Sequence, residues 1–122
     1  MSVRIAINGF GRIGRCVARA WAMGLAPNIE LVAINGRGPI ENHYHLLKYD
    51  SIHGRFPGTL ELKENSLIIN GKEVKVFRER EPENAPWAEH NIDIVMECTG
   101  AFKDRAGAGK HLTAGAKKVM IS

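Results

Sequence analysis

Hydrophobic and polar residues follow two different periods along this chain, and the change from one period to the other separates its elements. The mainly apolar runs at residues 3–7 and 29–35 have the length of buried strands. Between them, from Arg12 onward, apolar residues recur at every third or fourth position, with arginines in between. This spacing predicts an amphipathic helix, which we expect to end near Gly24 and Pro27.

A second helix and an antiparallel segment are predicted in the middle of the chain. Pro39 is suited to the start of a helix over residues 40–49. Between residues 51 and 80 the period becomes two, in the stretches TLELKE, SLIING and KEVKVF. The pair Asn70-Gly71 separates two of these stretches, and such a pair is a strong signal for a tight hairpin. We therefore predict an antiparallel hairpin insertion with one face in water.

The last third of the chain continues the alternation of helix and strand. We predict a short helix over residues 82–90, a buried strand over 92–100, a glycine-weakened helix over 105–116 and a final strand over 117–122. The order of elements favours an α/β fold with a mostly parallel sheet and helices on both faces. A chain of 122 residues is expected to form one such domain.

Three glycines directly after the first predicted strand suggest what this turn binds. Gly9, Gly11 and Gly14 have the spacing G-x-G-x-x-G between a strand and a helix, which is the context of a dinucleotide-binding motif. The first glycine permits a tight turn, the second lets a pyrophosphate approach the backbone, and the third lets the helix pack on the strand. The N–H groups of Arg12 and Ile13 would face the anion. A glycine-rich turn without a ligand is the alternative.

The end of the second strand departs from the usual dinucleotide-binding pattern. An acidic residue is expected about 20 residues after the glycines, where it binds the ribose 2′-hydroxyl. Gly36 stands at this position and Arg37 follows it, whereas Glu30 lies at the wrong end of the strand. Without the carboxylate, a 2′-phosphate meets no repulsion, so NADP becomes an alternative to NAD. Arg37 either reaches that phosphate or remains a solvated loop residue.

Charge and composition narrow the classes of partner. The 17 basic residues exceed the 13 acidic ones by four, and they are scattered, so no nucleic-acid partner is required. No apolar run approaches the ~18 residues of a membrane span. The two cysteines do not form a paired motif and the N-terminus carries no leader pattern, which predicts a cytoplasmic protein without a membrane partner.

Several long blocks of the chain resemble one enzyme family. The stretches RIAINGFGRIGR, VAIN, HLLKYDSIHGRF, ECTG and HLTAGAKKVMIS closely resemble the N-terminal part of phosphorylating glyceraldehyde-3-phosphate dehydrogenases. The resemblance covers residues 1–122 and implies a Rossmann-type dinucleotide-binding domain, doubly wound, that binds NAD. It also implies a glycolytic oxidoreductase, homotetrameric as a whole protein, that oxidises glyceraldehyde 3-phosphate with inorganic phosphate. Erythrose-4-phosphate dehydrogenases share nearly the same blocks and remain an alternative.

The resemblance also implies which residues contact the cofactor. Arg12 and Ile13 would bind the pyrophosphate through backbone N–H groups, Asn35 would lie by the adenosine, and Arg80 would reach the adenine edge. Gly36 stands where the family has its ribose-binding Asp, which leaves both NAD and NADP open. The full set of implied cofactor-binding residues is Asn8, Gly9, Phe10, Gly11, Arg12, Ile13, Asn35, Arg80, Thr99, Gly100, Phe102 and Ser122.

No catalytic residue is expected within these 122 residues. The family's nucleophile is a cysteine in a Ser-Cys-Thr-Thr-Asn block and its base is a distant histidine, and neither Cys16 nor Cys98 matches that block. We expect both cysteines to be small core residues, and the chain alone to bind cofactor without turnover because the catalytic domain is absent from it. A stand-alone nucleotide-binding or interaction module is the alternative. No metal site is expected from His43, His45, His53, His90 and His111.

Overall fold

One mixed sheet organises the part of the chain that the computed structural model describes, which is residues 3–24, 28–36, 38–50, 54–55, 58–79, 86–98, 109–112 and 114–121. Two helices, α1 (Arg12–Ala22) and α2 (Ile40–Lys48), accompany it, and residues 109–112 are also helical. The strands are β1 (Val3–Asn8), β2 (Ile29–Asn35), β3 (Tyr49–Asp50), β4 (Gly54–Arg55), β5 (Leu60–Leu62), β6 (Ser66–Ile69), β7 (Lys72–Phe77), β8 (Ile94–Glu97) and β9 (Lys118–Ile121).

The centre of the sheet is parallel, and its strand order reverses at β1. The order is β5-β6-β7-β2-β1-β8-β9, while β3 and β4 pair separately. The neighbours of β1 are β2 and β8, and both pairings are parallel, as are β2 with β7 and β8 with β9. Doubly wound sheets bind ligands at the carboxyl ends of the strands where the order reverses. The predicted Rossmann-type, mostly parallel α/β sheet is confirmed.

The predicted hairpin insertion is also confirmed, and its last strand belongs to the parallel core. Strands β5, β6 and β7 pair antiparallel in sequence, with Asn70 and Gly71 in the second turn at φ of 52° and 83°. Two successive positive φ values are the signature of the type I′ turn that Asn-Gly favours. On its other side β7 pairs in parallel with β2, so the insertion is joined to the parallel core of the sheet.

Different parts of the chain bury the two faces of the sheet. Ala18 of α1 and Leu47 of α2 are fully buried in a cluster with apolar residues of β1 and β2. A second cluster contains Trp87 and Val95, which are fully buried as well. The end of α1 lies where we expected it, because Gly24 follows with a φ of +77°, a conformation that terminates helices. Within the described ranges, no helix is long and apolar enough to cross a membrane.

The prediction for residues 82–90 is wrong over the part that the structure describes. Residues 87–91 form turns rather than a helix, although the N–H of His90 donates to the carbonyl of Pro86 at 3.3 Å. The N–H of Ile92 donates to the carbonyl of Trp87 at 3.1 Å, which brings the chain straight into the strand that follows. Trp87 and Ile92 are almost completely buried. Burial of these two side chains against the sheet therefore outweighs the local helical pattern.

Asp93, directly before β8, ties together the beginnings of three strands. One carboxylate oxygen accepts the backbone N–H of Arg4 at 2.9 Å, and the other lies 3.0 Å from Nζ of Lys117. The hydrogen bond from Arg4 and the bond and charge of Lys117 lower the pKa of Asp93. The charged form is thus favoured by folding, so this contribution to stability is present at neutral pH.

We expect Asp93→Asn to flatten the acid limb of the stability curve. Stability from a lowered carboxyl pKa is lost as the pH falls below about 4, towards the native pKa. Urea unfolding at neutral and acid pH measures it: the wild-type chain loses more stability than Asp93→Asn, and Lys117→Ala lies between them. Parallel curves for the wild type and Asp93→Asn would contradict the role of this carboxylate.

Candidate functional site

Three polar side chains lie at the carboxyl ends of three neighbouring strands, where the strand order reverses; we call this edge of the sheet the crevice. Asn8 is the last residue of β1, Asn35 of β2 and Glu97 of β8. In the sheet Asn8 lies opposite Asn35 on one side and opposite Glu97 on the other. Their exposed fractions are 3%, 4% and 1%. Buried polar groups need hydrogen-bond partners, and these three find partners in one another.

A continuous chain of hydrogen bonds joins these strand ends. Nδ2 of Asn35 donates to Oδ1 of Asn8 at 2.7 Å, and Nδ2 of Asn8 donates to Oε2 of Glu97 at 2.8 Å. Asn35 also accepts from the backbone N–H of Glu79 at 2.7 Å and donates to the Glu79 carbonyl at 2.9 Å. The segment after β7 is thereby joined to this chain of hydrogen bonds. The carboxyl ends of β7, β2, β1 and β8 are therefore joined by side-chain hydrogen bonds as well as by the backbone hydrogen bonds of the sheet.

This chain of hydrogen bonds continues from Glu97 into a buried histidine and tryptophan. Nε2 of His111 lies 2.5 Å from Oε2 of Glu97, and the indole N–H of Trp87 donates to Nδ1 of His111 at 3.0 Å. An indole nitrogen only donates, so Nδ1 of His111 must be unprotonated. The proton of the neutral ring is therefore on Nε2 and is donated to Glu97. We call Asn35, Asn8, Glu97, His111 and Trp87 the edge network.

Sequence reasoning missed most of the edge network. It singled out Asn8 and Asn35, gave Trp87 and Glu97 no functional role, and named His111 only among the histidines from which no metal site was expected. The partners lie 14 residues apart for Glu97 and His111 and 24 apart for His111 and Trp87, so no local spacing connects them. One signal was available: Glu97 is a charged residue at the end of an apolar strand, in the same place as Asn8 in β1.

The glycine-rich turn has the geometry that the motif predicts. Gly9 adopts a φ of +97°, which side chains disfavour, and its N–H donates to the carbonyl of Asn35 at 2.7 Å. A Cβ on Gly14 would lie only 2.5 Å from the carbonyl oxygen of Gly9, so α1 packs on the turn as closely as glycine allows. A Cβ on Gly11 would have no heavy atom within 4 Å. The space over Gly11 is therefore open, whereas the space at Gly14 is filled by protein.

The N-terminus of α1 suits an anion. Gly11 is its N-cap and supplies no side-chain hydrogen bond, and the first turn has no acidic residue. The first backbone bond within the helix runs from the N–H of Arg15 to the carbonyl of Gly11 at 2.9 Å. The N–H groups of Arg12, Ile13 and Gly14 precede it and have no partner within the helix. Such groups, at the positive end of the helix dipole, bind phosphates. The residues present thus fit a dinucleotide pyrophosphate.

Gly36, after β2, faces a histidine of α2. A Cβ on Gly36 would lie 3.1 Å from Cε1 and Nε2 of His43 and 3.3 Å from Cβ of Phe10. Glu30 lies at the opposite end of β2, where its carboxylate is 3.3 Å from Nη1 of Arg4. The sequence-based placement of Glu30 away from the cofactor crevice agrees with this ion pair.

The predicted cofactor-binding residues divide into two groups. Those at the glycine-rich turn and the strand ends lie together at one edge of the sheet: Asn8, Gly9, Phe10, Gly11, Arg12, Ile13 and Asn35. The others lie outside the described residues, as Arg37 does: Arg80, Thr99, Gly100, Phe102 and Ser122. Both cysteines are partly buried, and Cys98 packs against the core as expected of a small core residue.

Comparison with known proteins identifies the family of this fold and crevice. Residues 3–105 match the family described as "Glyceraldehyde 3-phosphate dehydrogenase, NAD binding domain". The match includes the glycine-rich turn, both asparagines of the edge network and Glu97.

Individual relatives agree with this match. Glyceraldehyde-3-phosphate dehydrogenase of Thermotoga maritima is 54% identical over 98% of this chain and 36% of its own length. That of Geobacillus stearothermophilus is 52% identical over the whole chain and 36% of its own length. The chloroplastic protein of Chondrus crispus is 52% identical over the whole chain and 30% of its own length. The chain thus spans about a third of the length of these curated relatives. With a glycine-rich turn and a parallel sheet that fit a dinucleotide, it belongs to the glyceraldehyde 3-phosphate dehydrogenase family.

Proposed function

We propose that this chain holds the dinucleotide cofactor of a dehydrogenase that oxidises glyceraldehyde 3-phosphate with inorganic phosphate. The observation that carries the proposal is the uncapped N-terminus of α1 beside the open space at Gly11. A Cβ on Gly11 would have no heavy atom within 4 Å, so there is room for an anion to approach the backbone there. Family membership supports the oxidation, since the relatives are named glyceraldehyde-3-phosphate dehydrogenases. The use of inorganic phosphate is proposed from the sequence resemblance. Bound NAD would accept the hydride from the aldehyde carbon.

Each described residue of the site has a proposed part in binding. The N–H groups of Arg12 and Ile13 hold the pyrophosphate, and Gly11 leaves room for it. Asn8, Gly9 and Phe10 line the crevice, and Asn35 lies by the adenosine. From the resemblance alone, Arg80 is proposed at the adenine, and Thr99, Gly100, Phe102 and Ser122 along the path to the nicotinamide. The edge network holds the strand ends that carry these groups.

NAD is the proposed cofactor, and NADP is the alternative. Gly36 places no negative charge at the end of β2, so nothing at that position repels a 2′-phosphate. NAD ranks first because the matched family is described by its NAD-binding domain. A cytoplasmic homotetramer is proposed for the whole protein from the resemblance.

We expect the 122-residue chain to bind NAD but not to reduce it. None of its residues matches the family's cysteine nucleophile or its histidine base, and acyl transfer needs an activated nucleophile. Calorimetry with NAD, together with NADH absorbance after addition of glyceraldehyde 3-phosphate and phosphate, tests both halves. Turnover by a preparation free of longer protein would refute the claim that the catalytic residues lie outside this chain. The absence of any heat of binding would refute the cofactor-binding role.

A nucleotide-binding module without catalysis is the second candidate, since none of the 122 residues matches the family's cysteine nucleophile or its histidine base. The intact mass of the protein from its natural source distinguishes the two. A mass near 13.5 kDa favours the module, and a much larger mass favours the dehydrogenase.

A further inference from the structure

We propose that His43 determines specificity at the ribose end of the dinucleotide site, because its ring occupies the space of a side chain on residue 36. This inference rests on the proposed cofactor-binding function and adds a residue to it. The family resemblance and the motif direct attention to residues 36 and 37, at the end of β2. The structure assigns the property to residues 36 and 43 as a pair.

The glycine at position 36 is favoured by the limited space beside it rather than by its backbone conformation. Gly36 is not among the described glycines with positive φ, which are Gly9, Gly24, Gly38, Gly71 and Gly115. Its backbone would therefore accept another residue. A Cβ there, however, would lie 3.1 Å from two atoms of the His43 ring and 3.3 Å from Cβ of Phe10. These approaches are closer than ordinary van der Waals contact, so a Cβ at position 36 requires the ring to shift by a few tenths of an ångström.

The ring of His43 is held in this place from two directions. His43 lies in the first turns of α2, and only 6% of its surface is exposed. Its ring meets that of Phe10 edge to face, with centroids 5.7 Å apart and planes at 81°. Phe10 belongs to the glycine-rich turn, so His43 connects α2 to the turn over the end of β2. Packed side chains do not yield freely, and inserting a larger group beside them costs stability.

The pairing has a direct consequence for cofactor choice. An acid at position 36 would repel a 2′-phosphate, whereas an imidazole carries no negative charge. While His43 is present, the Cβ of an acidic residue at position 36 would crowd the imidazole ring. The His43 ring thus disfavours an acidic side chain at position 36, and without that acid the site can accept the 2′-phosphate of NADP.

A double-mutant cycle in the natural full-length protein tests the proposal. The variants are Gly36→Asp, His43→Ala and the double variant, and the measurements are the melting temperature and the dissociation constants of NAD and NADP. We expect Gly36→Asp alone to lower the melting temperature by about 5 °C or more. When residue 43 is alanine, we expect Gly36→Asp to lower the melting temperature much less than it does in the presence of His43. In the double variant the dissociation constant of NADP, divided by that of NAD, should be at least ~10-fold higher than in His43→Ala. As a control, Asn42→Asp adds the same charge on the exposed side of α2 and should change neither quantity.

Two results overturn the proposal, and they differ from failure of the proposed function. If the changes in melting temperature caused by Gly36→Asp and His43→Ala simply add in the double variant, His43 does not occupy the space at position 36. If they are coupled but the NADP-to-NAD ratio of the double variant equals that of His43→Ala, the pair does not face the ribose. A wild-type protein that binds neither dinucleotide would instead refute the cofactor-binding function itself.

Discussion

Gly11→Val is expected to abolish measurable dinucleotide binding while leaving the fold intact. Gly11 has φ of −85° and ψ of −156°, an extended conformation open to other residues. A Cβ there meets no heavy atom within 4 Å, so the variant creates no close contact at that atom. The added side chain would occupy the space in front of the N–H of Arg12, where we place the pyrophosphate. A loss of at least ~100-fold in NAD affinity corresponds to about 2.7 kcal/mol.

Gly14→Ala provides the matched comparison within the same motif. We expect it to lower stability, whereas Gly11→Val should lower NAD affinity and leave stability unchanged. Its Cβ would lie 2.5 Å from the backbone oxygen of Gly9, so the helix must move away from the turn. We expect a lower melting temperature for Gly14→Ala and an unchanged one for Gly11→Val. Calorimetry with NAD and thermal unfolding separate the two effects. Wild-type NAD affinity in a folded Gly11→Val protein would contradict the role assigned to the turn.

Glu97→Ala is expected to destabilise the fold by about 2–6 kcal/mol. The carboxylate oxygen Oε2 accepts from both Asn8 and His111, and the exposed fraction of Glu97 is 1%. Removing it leaves two buried donors without this acceptor, at about 1–3 kcal/mol each. A typical domain is stable by only about 5–15 kcal/mol, so the loss is large. Urea unfolding measures it directly.

Glu97→Gln is the control for this prediction. A glutamine can place its one oxygen where Oε2 lies and so keep both hydrogen bonds, while it loses the negative charge. We expect it to retain more than half of the stability that Glu97→Ala loses. If the two variants are equally destabilised, the charge rather than the accepting oxygen holds the edge network together. If neither is destabilised by as much as about 1 kcal/mol, the network does not stabilise the strand ends.

The glycine-rich turn and the hairpin were predictable because their determinants are local. Gly9, Gly11 and Gly14 lie within six residues, and each acts on the backbone or the space beside it. The same holds for Asn70 and Gly71, whose positive φ values follow from their residue types. By contrast, the segment around Trp87 was predicted as a helix from its local pattern. Its turns depend on burial against strands elsewhere in the chain.

The amino-acid sequence by itself determined the alternation of strand and helix from β1 to α2, the hairpin insertion, the Rossmann-type class of the sheet and the position of the glycine-rich turn. These follow from hydrophobic period and turn chemistry, which operate within a few residues. Only the tertiary structure decided that β7 joins the parallel core, that His111 donates to Glu97, and that His43 fills the space beside Gly36. Each of these depends on groups that the packing of separate elements brings together. The spacing of residues along the chain does not predict which of these distant side chains will be in contact.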